Sequence, residues 1–348
     1  MENASAHDCR VAWMSQGIVS RAVNEEERSS LLTELQHRLP LETYVLVLTI
    51  VLWVLLSVVS PYFWTEGNIT NILRQVSIDA ILAFGSLFPI ILAGIDLSVG
   101  SVAGLSGVVF SMLIANAGMG LAPALAVTVA MGILIGVING WATDRLGIPP
   151  FIVTLAGLQG YRGLALLLSG GMTIAGMPEG LQRFALSDVQ HVPTLFLLMA
   201  VLGFSAHFLL SYTRLGRYMY AIGSNAEAAR RVGIRVTHVT TIAYAFAALF
   251  ATISGLLLVA RLSMGSPTAA TGSELEAIAA AVVGGASLFG GRGTILGCFI
   301  GALLFTTLGN GANLLGINSF WQMVIEGLLI ALVVYVDNLQ KRRQAGMG

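Results

Sequence analysis

The chain has 348 residues, 56% of them hydrophobic and only 10% charged, with 18 Lys and Arg against 18 Asp and Glu. That is more apolar than a soluble core of this length needs, so the composition reads as an integral membrane protein, and a net charge of zero leaves no global field to attract nucleic acid. The two cysteines, Cys9 and Cys298, have no paired spacing and no His nearby, which indicates neither a disulfide framework nor a metal site.

In chain order, residues 1–40 form a polar, sign-balanced leader with Leu31, Leu32, Leu35 and Leu39 at roughly helical spacing, which predicts a short amphipathic cytosolic helix. The first apolar run begins only near Thr43, too late for a secretory signal, so the membrane segment stays attached. A spanning helix needs about 20 mainly apolar residues. By that measure ten spans are expected, near 42–60, 72–93, 98–115, 121–142, 151–169, 194–211, 239–260, 274–289, 293–309 and 318–337, the third and eighth being short. The expectation is therefore an all-α polytopic membrane protein with both termini cytoplasmic: leader 1–40, membrane domain 41–338 with a cytosolic loop at 212–238, and tail 339–348. With the amino terminus inside, fourteen basic residues lie on the cytosolic side and four elsewhere, as the bias of basic residues toward cytoplasmic loops requires.

Gly132, Gly136 and Gly140 share one face of the fourth span, and Gly293, Gly297 and Gly301 one face of the ninth. Small residues four apart let helix backbones approach closely, so these six are read as packing positions. AGIDLSVGS (Ala93 to Ser101) echoes GGASLFGGR (Gly284 to Arg292), matching Gly94 to Gly285, Leu97 to Leu288 and Gly100 to Gly291, as a parallel duplication would.

The segment Ser211 to Val236 holds five of the basic residues. Charge so concentrated cannot lie in lipid, so it belongs in water on the cytosolic side. Within it Ser224, Asn225, Ala226 and Glu227 read as a capping box, with the Ser224 hydroxyl accepting from the Glu227 N–H. A helix from Asn225 to about Val232 follows, carrying Ala228, Ala229, Arg230 and Arg231 and stopped by Gly233. Its small face suits a groove on another protein and its arginines suit an acidic rim; an ordinary basic loop is the simpler alternative.

No catalytic constellation is legible. No HExxH or GxSxG occurs, and His191, His207 and His238 lie at the end of a span or in loops. The GxxxxG spacing from Gly285 continues into Arg292 and Gly293, and the single lysine is Lys341, so no P-loop is present and no cofactor is expected. Asp96 is read first as the cap of the third span, bonding Ser98 or Val99, with a gating role behind it. Asn139, Thr154, Asn313 and Gln322 are candidate solute contacts that serve equally well as ties between helices. Glu274 and Glu276 are either solvated helix-start acids or contacts for a partner outside. Only Asp79, Arg162 and Glu326 approach mid-span, which is poor in charge for an ion-coupled carrier or channel, the alternative class.

TRLGRYMYAIGSNAEAARRVGIRV (Thr213 to Val236) resembles the cytoplasmic coupling loop of permease subunits of ABC importers for ribose, xylose, arabinose, galactose and related small molecules. GIDLSVGS (Gly94 to Ser101), PPFIVTLAGLQGYRGLALLLSGG (Pro149 to Gly171), ELEAIAAAVVGGASLFGGRGTILGCFIGALL (Glu274 to Leu304) and LGINSFWQ (Leu315 to Gln322) match the same family in the same order, over roughly residues 43 to 337. The resemblance implies a permease in a bacterial inner membrane, paired with a second permease subunit as homodimer or heterodimer. It also implies docking on cytosolic ATPase subunits that hydrolyse the ATP, and solute delivery by an extracytoplasmic sugar-binding protein. The helix from Asn225 to Val232 would then be the coupling helix.

Overall fold

A computed structural model describes residues 41–318, 320–325, 327, 328 and 331. The predicted leader helix, Cys9, Glu326, half of the predicted tenth span and the basic tail lie outside these. The chain opens with α1 (Leu41–Val59), α2 (Glu66–Ile91), α3 (Val99–Ala115), α4 (Leu121–Arg145) and α5 (Pro150–Ser169). A short α6 (Glu179–Leu186) and a two-residue hairpin, β1 (Asp188–Val189) with β2 (Val192–Pro193), lead to α7 (Thr194–Tyr212). Then come α8 (Arg214–Ser224), α9 (Ala226–Arg231), α10 (Val236–Leu262), α11 (Ser273–Val283) and α12 (Ile295–Leu314).

Among the described residues α1, α2, α4, α5, α7, α10 and α12 are long and apolar enough to cross a membrane. The structure differs here from the ten uninterrupted spans expected. The third, α3, has only 17 residues, and the eighth ends at Val283, after 11 residues, where 289 was expected. The reason is local: Gly285 adopts φ +97°, and Gly284 packs so tightly on α12 that a Cβ there would stand 2.0 Å from the Gly297 carbonyl oxygen. Residues 284–294 are consequently not helical.

The bundle is organised around α2 and α10, the most buried spans, with α4 and α3 packed along α10. As the spacing of its glycines implies, one face of α4 lies directly on α10. A Cβ at Gly132, Gly136 or Gly140 would come within 1.9 Å of Thr252 Oγ1, 2.3 Å of the Tyr244 carbonyl oxygen and 2.6 Å of Thr241 Cα respectively. Gly297 and Gly301 pack α12 on α11 in the same way, against the carbonyls of Gly284 and Ala280. Gly293 departs from the expected face: it precedes α12, with φ +148°, and meets Leu87 and Ala286.

A second small-residue face was not read from the sequence. Gly100, Gly104, Gly107 and Ser111 stand at helical spacing on α3, and the turn-rich, non-helical stretch 263–272 runs along them. Gly265 would bring a Cβ to 2.7 Å from the Gly107 carbonyl, while the carbonyls of Ala269 and Ala270 approach Gly104 and Gly100. One end of this stretch is fixed by paired bonds between Gly265 and Ile174 of 2.8 and 2.9 Å. Residues 263–283 thus run through the bundle in two halves, a turn-rich one and the short helix α11, the kind of interrupted span tolerated only where protein or a water-filled cavity satisfies the backbone.

The α4–α10 seam gives a direct test. Gly136→Leu forces backbone apart and should cost about 1–3 kcal/mol or more, read as a lower midpoint of thermal unfolding in detergent. Gly67→Ala, which meets nothing within 4 Å, should leave the midpoint unchanged or raise it.

Candidate transport pathway and coupling surface

The basic segment folds as two helices rather than as one loop with a short helix. Thr213 caps α8 by accepting from the Gly216 N–H at 3.2 Å, and Met219 and Ile222 are buried on its inner face. Leu215, Met219 and Ile222 stand at helical spacing, a signal in the sequence that the attention to charge passed over. Tyr220 donates to the Gly293 carbonyl at 2.8 Å, and burial pushes its phenol above the usual range.

The expected capping box is corrected by one residue. Ser224 ends α8 and donates to the Tyr220 carbonyl at 2.9 Å, while Asn225, in extended conformation, caps α9 by accepting from the Ala228 N–H at 2.9 Å. An upstream helix already holds Ser224 in helical geometry, and a cap residue must be extended, so the next side chain takes the role. Glu227 pairs along the surface with Arg231 instead of reaching back. Ala229 faces inward, and Gly233, at φ +86°, ends the helix as expected.

Two joints tie this surface to the spans. Arg230 Nη2 lies 3.0 Å from Asp144 Oδ1 at the end of α4, and Thr237 at the start of α10 donates to the other Asp144 oxygen. Just before α9, Gly223 sits so close to Ile91 that a Cβ would stand 1.8 Å from its carbonyl oxygen and 2.6 Å from the Gly291 nitrogen. Gly291 N–H itself donates to that Ile91 carbonyl at 2.8 Å. The two echoing segments, after Ile91 and around Gly291, therefore meet beside the strand of chain that leads into α9.

Asp96, Asn139 and Thr154 are brought together. Asp96 accepts from Ser98 N–H at 2.8 Å and Ser98 Oγ–H at 2.6 Å, an Asx turn at the entry to α3 in keeping with the capping expectation. Ser98 Oγ accepts from Asn139 at 3.0 Å, Tyr161 donates to Asn139 at 2.7 Å, and Thr154 donates to the Ile95 carbonyl at 2.9 Å. All three are buried, so they tie α4 and α5 to the non-helical stretch 92–98. Gln322 donates to Asn313 at 3.0 Å, at the opposite end of the bundle.

Asn313 belongs to a polar cavity of about 370 Å3 lined by Asn71, Gln75, Asp79, Arg261, Glu276, Thr306 and Asn310. Asp79 accepts from Gln75 at 3.1 Å and Thr306 at 2.9 Å, and Arg261 donates to Asn71 at 2.8 Å and to Gln75. The cavity opens among the ends of α2, α10 and α12 that are farthest from α9. Both Glu274 and Glu276 stand in the first turn of α11, as helix-start acids; Glu276 is one wall of the cavity, but Glu274 is 8% exposed and so not solvated as expected, because the stretch 263–272 carries the start of α11 into the bundle. Among the described residues no three His, Cys, Asp or Glu side chains gather where they would hold a metal ion.

Residues 68–334 match the permease component of the branched-chain amino acid transport system family. The chain belongs to this family. It is similar to the ribose import permease protein of Escherichia coli K12, 41% identical over 300 residues that cover 84% of this chain and 92% of the relative. The ribose import permease protein of Bacillus subtilis strain 168 is 40% identical over 82% of this chain and 89% of its own length. The xylose transport system permease protein of Haemophilus influenzae is 34% identical over 87% and 98%. No solved structure matches the chain. The chain is thus a multi-pass membrane permease.

The Asp144 joint holds α9 to α4 through one half-exposed ion pair, worth on the order of 0.5–1 kcal/mol, while the Thr237 bond ties the same carboxylate to α10. Asp144→Ala should speed amide exchange over 226–233 by about threefold or more without changing exchange in α10 beyond its first turn. Unchanged exchange would mean that α9 is held by other contacts.

Proposed function

We propose that this chain is the permease subunit of an ATP-driven importer, providing the passage for a small sugar handed over by an extracytoplasmic binding protein. The observation that carries this reading is the capped helix α9, which projects from the bundle with Ala226, Glu227, Arg230 and Arg231 at its surface and joins the spans through Asp144 and Gly223. A protruding helix with a small, charged surface suits a groove on an ATPase. The family and the sugar permeases among its relatives support the same reading. The polar cavity at the far end, rich in amides and carboxylates, suits hydroxylated solutes entering from the side of the binding protein.

In this reading ATP is hydrolysed on separate subunits, two permeases pair across the membrane of a bacterial cell, and α9 is the coupling helix. Coupling between α9 and the far cavity is reciprocal in binding free energy, so docking of a loaded binding protein shifts the ATPase's nucleotide affinity by the same factor by which nucleotide shifts the docking. Reconstituted with its ATPase and binding protein, the permease should carry ribose or xylose only when both partners and ATP are present. Uptake driven by an ion gradient alone would replace this reading with that of a secondary carrier.

Glu227→Arg and Gly233→Pro should each weaken capture of the ATPase by about tenfold or more while membrane insertion is intact. The first reverses a charge on the docking face; the second imposes φ near −65° where +86° is needed. Full capture by both variants would remove α9 from the coupling role.

A further inference from the structure

Arg162 lies about 18 Å along α5, a helix about 30 Å long by its rise per residue, and so near the middle of a span. It is half-buried. Its Nη1 donates to the carbonyls of Pro267 and Ala269, at 2.7 and 2.8 Å, and so fixes the non-helical stretch 263–272 to α5. A guanidinium has five N–H donors, so three remain on Nε and Nη2, and no described residue accepts from them. On its side of α5 the surface is open: Gln159 and Gly163 are exposed, and a Cβ at Gly163 would meet nothing within 4 Å. Thr268, between the two carbonyls that Arg162 holds, is exposed as well.

Behind this surface the charge is balanced. Gly104 on α3 faces Arg162, and one turn earlier Gly100 faces Glu274. The Glu274 carboxylate sits at the first turns of both α3 and α11, accepting from the Gly272 N–H at 3.2 Å, and its Oε2 has no hydrogen-bond partner. Two helix amino termini favour an anion there, and the Arg162 cation adds to them.

Lipid cannot cover such a surface. Unsatisfied guanidinium donors, an exposed glutamine amide and a non-helical stretch at mid-span all require water or a polar occupant. We propose that this face, made by Gln159, Arg162 and Gly163 of α5 with Thr268, is a wall of the solute passage, and that Arg162 presents its free N–H groups to the hydroxyls of a polyhydroxylated solute. Gly163, without a side chain, leaves room for the solute beside the guanidinium, and the Pro267 and Ala269 carbonyls hold the guanidinium plane in one orientation. The proposal rests on the importer reading and gives it a solute-contacting residue.

The test uses the full chain, carrying Cys9→Ser and Cys298→Ala, assembled with its ATPase and binding protein in proteoliposomes. Gln159→Cys and Gly163→Cys are compared with Val47→Cys, on the exposed apolar face of α1. A membrane-impermeant methanethiosulfonate should modify the two α5 cysteines at least about tenfold faster than the α1 cysteine, because its charge is excluded from lipid. ATP turnover with ribose-loaded binding protein should shift that rate, and Arg162→Gln should lower ribose uptake by more than Arg162→Lys does. Labelling at the α1 rate, or spontaneous Gly163→Cys disulfide dimers that never take the reagent, overturns the proposal. If either occurs while ribose-loaded binding protein still stimulates the ATPase of the unmodified complex, the importer reading stands and this wall alone is lost.

Discussion

Every peptide group inside a membrane must find its hydrogen-bond partner within the protein, because lipid offers none. Helices meet that demand by themselves, but this chain interrupts its helices three times, at 92–98, 263–272 and 284–294. Much of the bundle's architecture follows from how those interruptions are satisfied. The first is held by Thr154 on the Ile95 carbonyl and by the chain from Asp96 through Ser98 to Asn139 and Tyr161. The second is held by the Ile174 bridge and by Arg162. The third is closed on itself from Ser287 N–H to the Arg292 carbonyl and tied to the first by Gly291.

Such bonds require backbones within a few ångströms of one another, and only positions without side chains permit that. The seam between α4 and α10, the track of small residues on α3 and the Gly223 joint are three instances of one solution. In lipid, where apolar side chains gain nothing by leaving the solvent, close packing also supplies the cohesion between helices. The joints are consequently stiff in one place and thin in another. Gly223 and Gly291 touch backbone to backbone, whereas α9 is tied to α4 by one ion pair. A push on α9 enters the bundle at the ends of α2, α4 and α10 together, because packed interfaces shift as units rather than deform.

The apolar runs and the glycine periodicity were legible in the sequence, since both reflect local rules. Seven long spans and the α4 face followed from them. The interrupted crossing did not: Arg261 to Gly272 contains enough polar residues to read as an outer loop, and only its partners on α3, seven helices earlier in the chain, reveal that it descends into the bundle. The same long-range fact moved Glu274 from a solvated position to a buried one. The cap moved by one residue because α8, an amphipathic helix masked by its own arginines, ends where the capping box was to begin. Asp96, Asn139 and Thr154 were singled out as isolated polar residues, and their meeting at one stretch required topology that spacing alone does not carry.

The placement of charge bears on what drives the passage. A carrier powered by ions needs a buried site whose occupancy changes during the cycle, with ligands free to take and release the ion. At the far end, Asp79 is bonded to Gln75 and Thr306, and Arg261 to Asn71 and Gln75, in a network already supplied with partners. At mid-span, Arg162 is fixed by two carbonyls, and its open side presents donors, which suit hydroxyl oxygens and repel a cation. Charge that stands at the surface lies instead at α9, where Glu227, Arg230 and Arg231 are exposed and ion-paired. Under the importer reading proposed above, a passage whose interior charges are fixed is moved from outside, through that surface.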